Sequence, residues 1–248
     1  MKNKIASLFL AFALFFGCGF MAADVRAADE PEETKTVTLG ELEFQDEFYL
    51  GEFEQDNVRF NGPEALEWVV LKQVDGKTLV TTKYNIDSRH ASEEKGAVTW
   101  ENCTLRTWMN DEFYNSAFSD EEKAAILEET IDNSDDNFWT NADSGEGTTD
   151  RVFAISYAEY IDILEETLCD FRFFAAKPTK YCHAAGADTG AFETSIYWMR
   201  TSGKDERNFM VMDREGFARF IGWDAGHGHV CVRPCMWLDS SAQVEVAP

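Results

Sequence analysis

The sequence predicts an α+β fold, with antiparallel strands at both ends and about three helices between them. Three observations predict it. A strand–turn–strand signature stands early in the chain, capped apolar runs of helical period occupy the middle, and strand-like segments separated by turn residues fill the C-terminal part as a β-meander.

The chain opens on the three parts of a secretory signal. Lys2 and Lys4 give a basic start, Ile5 to Met21 is almost wholly apolar, and Val25-Arg26-Ala27 sets small residues before a cut after Ala27. The apolar run is borderline for a membrane span, and the cleavage site favours removal over anchoring. Phe15-Phe16-Gly17-Cys18 loosely resembles a lipobox, but two Phe are poor for that motif and apolar residues continue past Cys18, so a lipid anchor is the weaker alternative. The expected location is secreted or at the cell surface. Residues 1–27 are thus read as signal peptide, 28–36 as a flexible acidic leader, and 37–248 as a single globular domain.

Within that domain, Leu42, Phe44, Phe48, Leu50 and Phe53 recur among acids as half-buried strands do. Glu67 to Lys72 and Thr78 to Thr82 flank Asp75-Gly76, a strong hairpin signal. Leu105, Trp108, Met109 and Phe113 at helical spacing predict a helix within 102–118. Ser119 with Glu122 makes a capping box for a helix reaching Glu129, and Ser156 with Glu159 makes another for a helix reaching Leu168. Between these lies the polar loop Asp132 to Asp150, enclosing Phe138-Trp139, and Arg151 to Ile155 reads as a short strand. The meander is expected at Ile196–Thr201, Asn208–Met212, Phe217–Ile221 and His229–Leu238.

Composition narrows the function classes. Hydrophobic content of 44% supplies a core, and a net charge of −24 repels nucleic acid and anionic membrane while attracting cations. No other segment is long and apolar enough to cross a bilayer. Beyond the signal, Cys103, Cys169, Cys182, Cys231 and Cys235 are odd in number and show no paired zinc spacing, so at least one thiol is free or intermolecular, and mostly buried thiols with at most one bridge are expected. Their pairing stays open. Cys231 and Cys235, four apart in one strand-like stretch, are expected to face the same way.

Ordered blocks add a resemblance. Glu67-Trp68-Val69-Val70-Leu71, Trp100 to Asn110, Phe113 to Phe118, Thr148 to Phe153, Tyr197-Trp198-Met199-Arg200-Thr201-Ser202-Gly203 and Val232-Arg233-Pro234-Cys235-Met236-Trp237-Leu238 follow one another in the chain. Together they resemble a bacterial family known as domain of unknown function 6273, frequent in exported proteins. The likeness runs from about Glu67 to Leu238, with Cys235 and Met236 in place of the usual Ala and Leu and Tyr197 where a second Trp is common. It implies no activity. The C-terminal half is more loosely similar to C-type-lectin-like and sulfatase-modifying-factor-like domains, which implies a fold and no function.

Candidate chemistry is sparse. His227-Gly228-His229, with Asp224 upstream and His183 elsewhere, offers metal-ligand types, while the flanking glycines favour a solvent-facing turn. Asp135, Asp136, Asn137, Asn141, Asp143 and Glu146 offer calcium ligands without EF-hand spacing, so no cofactor is expected and calcium is the alternative. Arg200 and Arg233 beside Trp198 and Trp237 could grip a carboxylate or a sugar face, against the preferred reading of internal pairing. Cys182-His183 are neighbours in sequence without an orienting motif. The ligand-binding candidates are therefore Trp198, Arg200, Asp224, His227 and His229. The expected function is a non-catalytic extracytoplasmic binding module for a glycan or protein, lectin-like in leaning. A secreted hydrolase with a carboxylate or Cys/His site is the alternative.

Overall fold

The computed structural model describes residues 34–247 apart from 95, 135, 136, 191 and 192. The expected signal peptide and most of the acidic leader lie outside the described residues. In chain order the strands are β1 (Lys35–Thr38), β2 (Glu47–Phe53), β3 (Glu64–Val74), β4 (Lys77–Thr82), β5 (Asp87–Ser88), β6 (Glu129–Ile131) and β7 (Thr148–Asp150). After them come β8 (Tyr197–Ser202), β9 (Asn208–Met212), β10 (Ala218–Asp224), β11 (Cys231–Val232), β12 (Cys235–Asp239) and β13 (Gln243–Val246). The helices are α1 (Thr104–Trp108), α2 (Tyr114–Ala117), α3 (Asp120–Lys123), α4 (Tyr157–Thr167) and α5 (Lys180–Ala184). None is long and apolar enough to cross a membrane among the described residues. The fold is α+β, with mostly antiparallel sheets, β8 and β11 pairing parallel, and strands at both ends.

One sheet runs β1-β13-β2-β3-β4-β12 and a second β10-β9-β8-β11-β5, while β6 and β7 pair separately. The β3–β4 hairpin turns at Asp75 and Gly76, both at positive φ, as a two-residue turn with the right twist requires. Trp68 is fully buried on β3, and its Nε1–H donates to the Leu50 carbonyl at 2.7 Å. α1 passes through a π turn (Met109–Phe113) into α2, burying Leu105, Trp108, Met109 and Phe113 as their spacing predicts. Both capping boxes form, at Ser119–Glu122 and Ser156–Glu159. α4 ends with Leu168 in the left-handed conformation.

Four expectations are corrected. β1 starts at Lys35, inside the expected leader, because Lys35 and Thr36 pair with Val246 and Glu245. The helix begun at Ser119 stops at Lys123 rather than Glu129: Leu127 N–H donates to the Trp237 carbonyl, so pairing with β12 overrides local helix propensity. Arg151–Ile155 contributes a single bridge, Phe153 to Cys235, and the local strand is β7 just before it. Finally, His229–Leu238 is not one strand. Pro234 has no N–H to extend a ladder; β11 ends before it beside β5 and β8, and β12 begins after it beside β4. Cys231 and Cys235 thus lie in different sheets.

A buried carboxylate locks the helical middle. Asp150 accepts from Trp100 Nε1 at 2.9 Å, Arg106 Nε at 2.6 Å and Thr148 Oγ1 at 2.7 Å. Asp150→Ala is expected to cost about 1–3 kcal/mol in urea unfolding, because it leaves the Arg106 Nε–H and the buried Trp100 indole N–H without their acceptor.

Candidate functional site

β10 is the outermost strand of its sheet and carries apolar side chains into solvent. A bulge between Arg219 and Trp223 breaks its pairing with β9, and Gly222 sits there at φ +66°, where a Cβ would meet the Phe209 carbonyl oxygen at 2.0 Å. Phe220, Ile221 and Trp223 stand around that bulge, all exposed. Beside them the loop after β6 presents Phe138 and Trp139, which are 55% and 63% exposed. The Trp139 and Phe220 rings are 5.4 Å apart and tilted by 31°, Phe138 lies 4.9 Å from Trp139, and Tyr157 of α4 extends the row 5.5 Å from Phe138.

Asn137 fixes this loop. It is fully buried; its Nδ2 donates to the carbonyls of Ser202, Gly203 and Phe220, and its Oδ1 accepts from the backbone of Trp139. Thr140 Oγ1 adds a bond to the Gly203 carbonyl at 2.9 Å. Exposed aromatic side chains on an anchored backbone form a preset contact surface, of the kind that marks interaction sites.

The same loop continues into a shallow cleft of about 560 Å³ lined by Asn141, Asp143, Lys204, Asp205, Glu206 and Arg207. Asp205 accepts from the side chain of Asn208 and then from the backbone N–H of Arg207, and those two bonds hold its carboxyl below the usual range. Arg207 pairs with Asp224 at 3.1 Å and donates to the Glu94 carbonyl at 2.6 Å. Amide, carboxylate and cationic groups therefore border the aromatic row.

The residues expected from sequence separate into two groups. Trp198 is buried, with its Nε1–H on the Arg89 carbonyl at 2.9 Å and its ring edge-on to Phe209. Arg200 is 2% exposed and forks onto Glu159 at 2.6 and 3.0 Å, with further bonds to Asn133 and to the Ala154 and Asp132 carbonyls. Arg233 is likewise interior, on the Thr82 and Phe174 carbonyls. Internal pairing, the preferred reading of these arginines, describes their surroundings.

Asp224, His227 and His229 sit together at the far end of β10. Asp224 Oδ1 accepts from Gly226 N–H, His227 lies edge-on to Trp223 at 4.4 Å, and the two imidazoles are 5.7 Å apart. His229 and His90 each engage a backbone carbonyl through Nδ1, of Gly186 at 3.0 Å and Gly226 at 2.5 Å. Partial burial, and then the proximity of His229 and His90, pushes the His227 pKa down, against the pull of Asp224. His183 is apart from this group, on the Ala187 carbonyl.

In the acidic loop, Asp135 and Asp136 lie outside the described residues, Asn137 is committed to backbone, and Asp143 accepts from Gly145 N–H. Three acidic oxygens do approach within 4.8 Å elsewhere, on Glu54, Asp56 and Glu64, the residue types that a hard cation would take. Glu64 there already accepts from the backbone of Gln55 and Asp56, which accounts for the turn. Cys182 and His183 form no nucleophile–base pair, since the thiol donates to the Asp87 carbonyl and the imidazole bonds Ala187.

Sequence reasoning passed over Phe138, Trp139, Phe220 and Ile221. The signal was present as an apolar pair inside a polar loop, and as Phe220-Ile221 side by side where an alternating strand would bury only one.

Two outcomes follow from these placements. Arg200→Met is expected to lose about 1–3 kcal/mol of stability in denaturant titration, by leaving the part-buried Glu159 and the buried Asn133 and Ala154 acceptors without their donor. His227, with a folded pKa below its ordinary 6.5, contributes stability that is present above that value and is lost as pH falls through the lower folded one. The unfolding midpoint should therefore drop on acidification from about pH 7 to about pH 5, and less steeply in His227→Asn.

Comparison with known proteins gives a family and nothing closer. No curated protein matches the chain, and no solved structure does. A family model matches residues 75–240, spanning the β3–β4 turn, the helical middle and the strands that carry the aromatic row. On that match the chain belongs to the family described as domain of unknown function (DUF6273).

Proposed function

We propose that the domain is a non-catalytic binding module acting outside the cytoplasm, lectin-like in use, whose aromatic row takes a neutral or cationic glycan. The observation that carries this reading is the set of exposed rings, Phe138, Trp139 and Phe220, held on backbone anchored by the buried Asn137. Aromatic faces give flat apolar contact to the C–H faces of sugar rings, and the neighbouring Asn141, Asp143, Asp205 and Lys204 supply partners for hydroxyls. A protein partner would favour a broader and less polar border. The net charge of −24 disfavours sulfated or phosphorylated glycans. Export belongs to the same reading and rests on the Lys2-to-Ala27 leader.

Glycan-array binding of the purified protein, with and without Ca²⁺, tests it. Trp139→Ala should weaken binding roughly tenfold or more, equivalent to about 1.4 kcal/mol, with little change in the unfolding midpoint because the ring is exposed. A glycan that binds Trp139→Ala and wild type equally removes the aromatic row from the account. Silence on every glycan, together with Trp139-dependent capture of one defined protein, replaces the glycan by a protein ligand.

A further inference from the structure

We propose that Cys182 and Cys231 are joined in the exported protein by a disulfide that ties α5 to β11; the proposal rests on the export part of the function proposed above.

The fold brings both cysteines to β5. Cys182 lies on α5 and donates its Sγ–H to the carbonyl of Asp87, in β5, at 3.0 Å. β5 pairs antiparallel with β11, which sets Cys231 opposite Ser88, one residue further on. Both side chains are fully buried beside β5, and Cys231 is the neighbour that acts most strongly on the Cys182 thiol. The remaining thiols are occupied elsewhere. Cys103 accepts from the backbone of Arg106, Cys235 lies in the other sheet against Thr81, and Cys169 follows α4. Among the five cysteines of the described residues, this pair is therefore placed to join, and the other three stay single.

The chemistry needs an oxidant, which outside the cytoplasm is a dithiol–disulfide oxidoreductase or a small-molecule disulfide. One sulfur, as thiolate, attacks the oxidant's disulfide and releases one of its sulfurs as a thiol. The second sulfur then displaces the other. A Cys182–Cys231 bond forms, two protons and two electrons leave the pair, and the oxidant departs as two thiols. In the closed fold, the contact with Cys231 and then burial push the Cys182 thiol far up, so it makes a poor nucleophile there. Exchange therefore takes place while α5 is still undocked, during folding.

The full chain, reduced and unfolded, is returned to native conditions in a mixture of reduced and oxidised glutathione. It is then unfolded with an alkylating reagent present and mapped by peptide mass. The expected result is one cross-linked peptide holding Cys182 and Cys231, lighter by two hydrogens than the reduced pair, with Cys18, Cys103, Cys169 and Cys235 alkylated. Reductant should lower the thermal midpoint of the linked protein by roughly 10 °C, since the bond closes a long loop. The same reductant should leave the double variant Cys182→Ala/Cys231→Ala unmoved. Alkylation of both Cys182 and Cys231, or a link from either to another cysteine, overturns the proposal, and this readout on wild type stands even if the variant does not fold. The leader is tested apart by fractionating cells that make the full chain. A chain that links in glutathione yet stays inside the cell sinks the export reading, and an exported chain with both thiols free sinks the disulfide.

Discussion

The contact between the buried Arg200 and the partly exposed Glu159 organises the middle of the molecule. Glu159 closes the capping box of α4 by accepting from Ser156 N–H, and the same carboxylate receives the Arg200 fork. Arg200 also reaches the Asp132 and Ala154 carbonyls and Asn133, so one guanidinium on β8 gathers the start of α4, the chain before it and the loop after β6. Its neighbours continue the work: Thr201 accepts from Tyr157 N–H, and Ser202 bonds Ser144 and Asp143. A charge this deep is tolerated only because its hydrogen bonds are met by the protein.

Much of this architecture was legible in the sequence because its signals are local. Asp75-Gly76 specifies its own turn, and Ser119–Glu122 and Ser156–Glu159 specify their own helix starts. What stayed hidden depends on distant partners. The end of α3 is decided by Trp237, far along the chain, and the division of the last strand between two sheets is decided by what β11 and β12 meet on either side of Pro234. The site was harder still. Trp198 and Arg200 carry the residue types of a binding site and lie in the core, whereas Trp139 and Phe220 meet only after the β6 loop folds against β10. Spacing in a sequence does not report which side of a strand faces water.

The acidity of the chain and its aromatic row act in different ways. Acidic side chains spread over the surface keep anionic polymers away, and the row supplies contact that is largely indifferent to charge. Lys204, Asp205, Glu206 and Arg207 stand where the two meet, with Arg207 already held by Asp224.

The order of the first sheet bears on when the protein can fold. β2, β3 and β4 come from the beginning of the chain, yet their flanking strands, β13 and β12, are among the last segments to be synthesised. Until these arrive, the early three-stranded unit has an open edge on each side and β1 has no neighbour. A polypeptide arranged in this way completes its first sheet only when the segments that form β12 and β13 have been made.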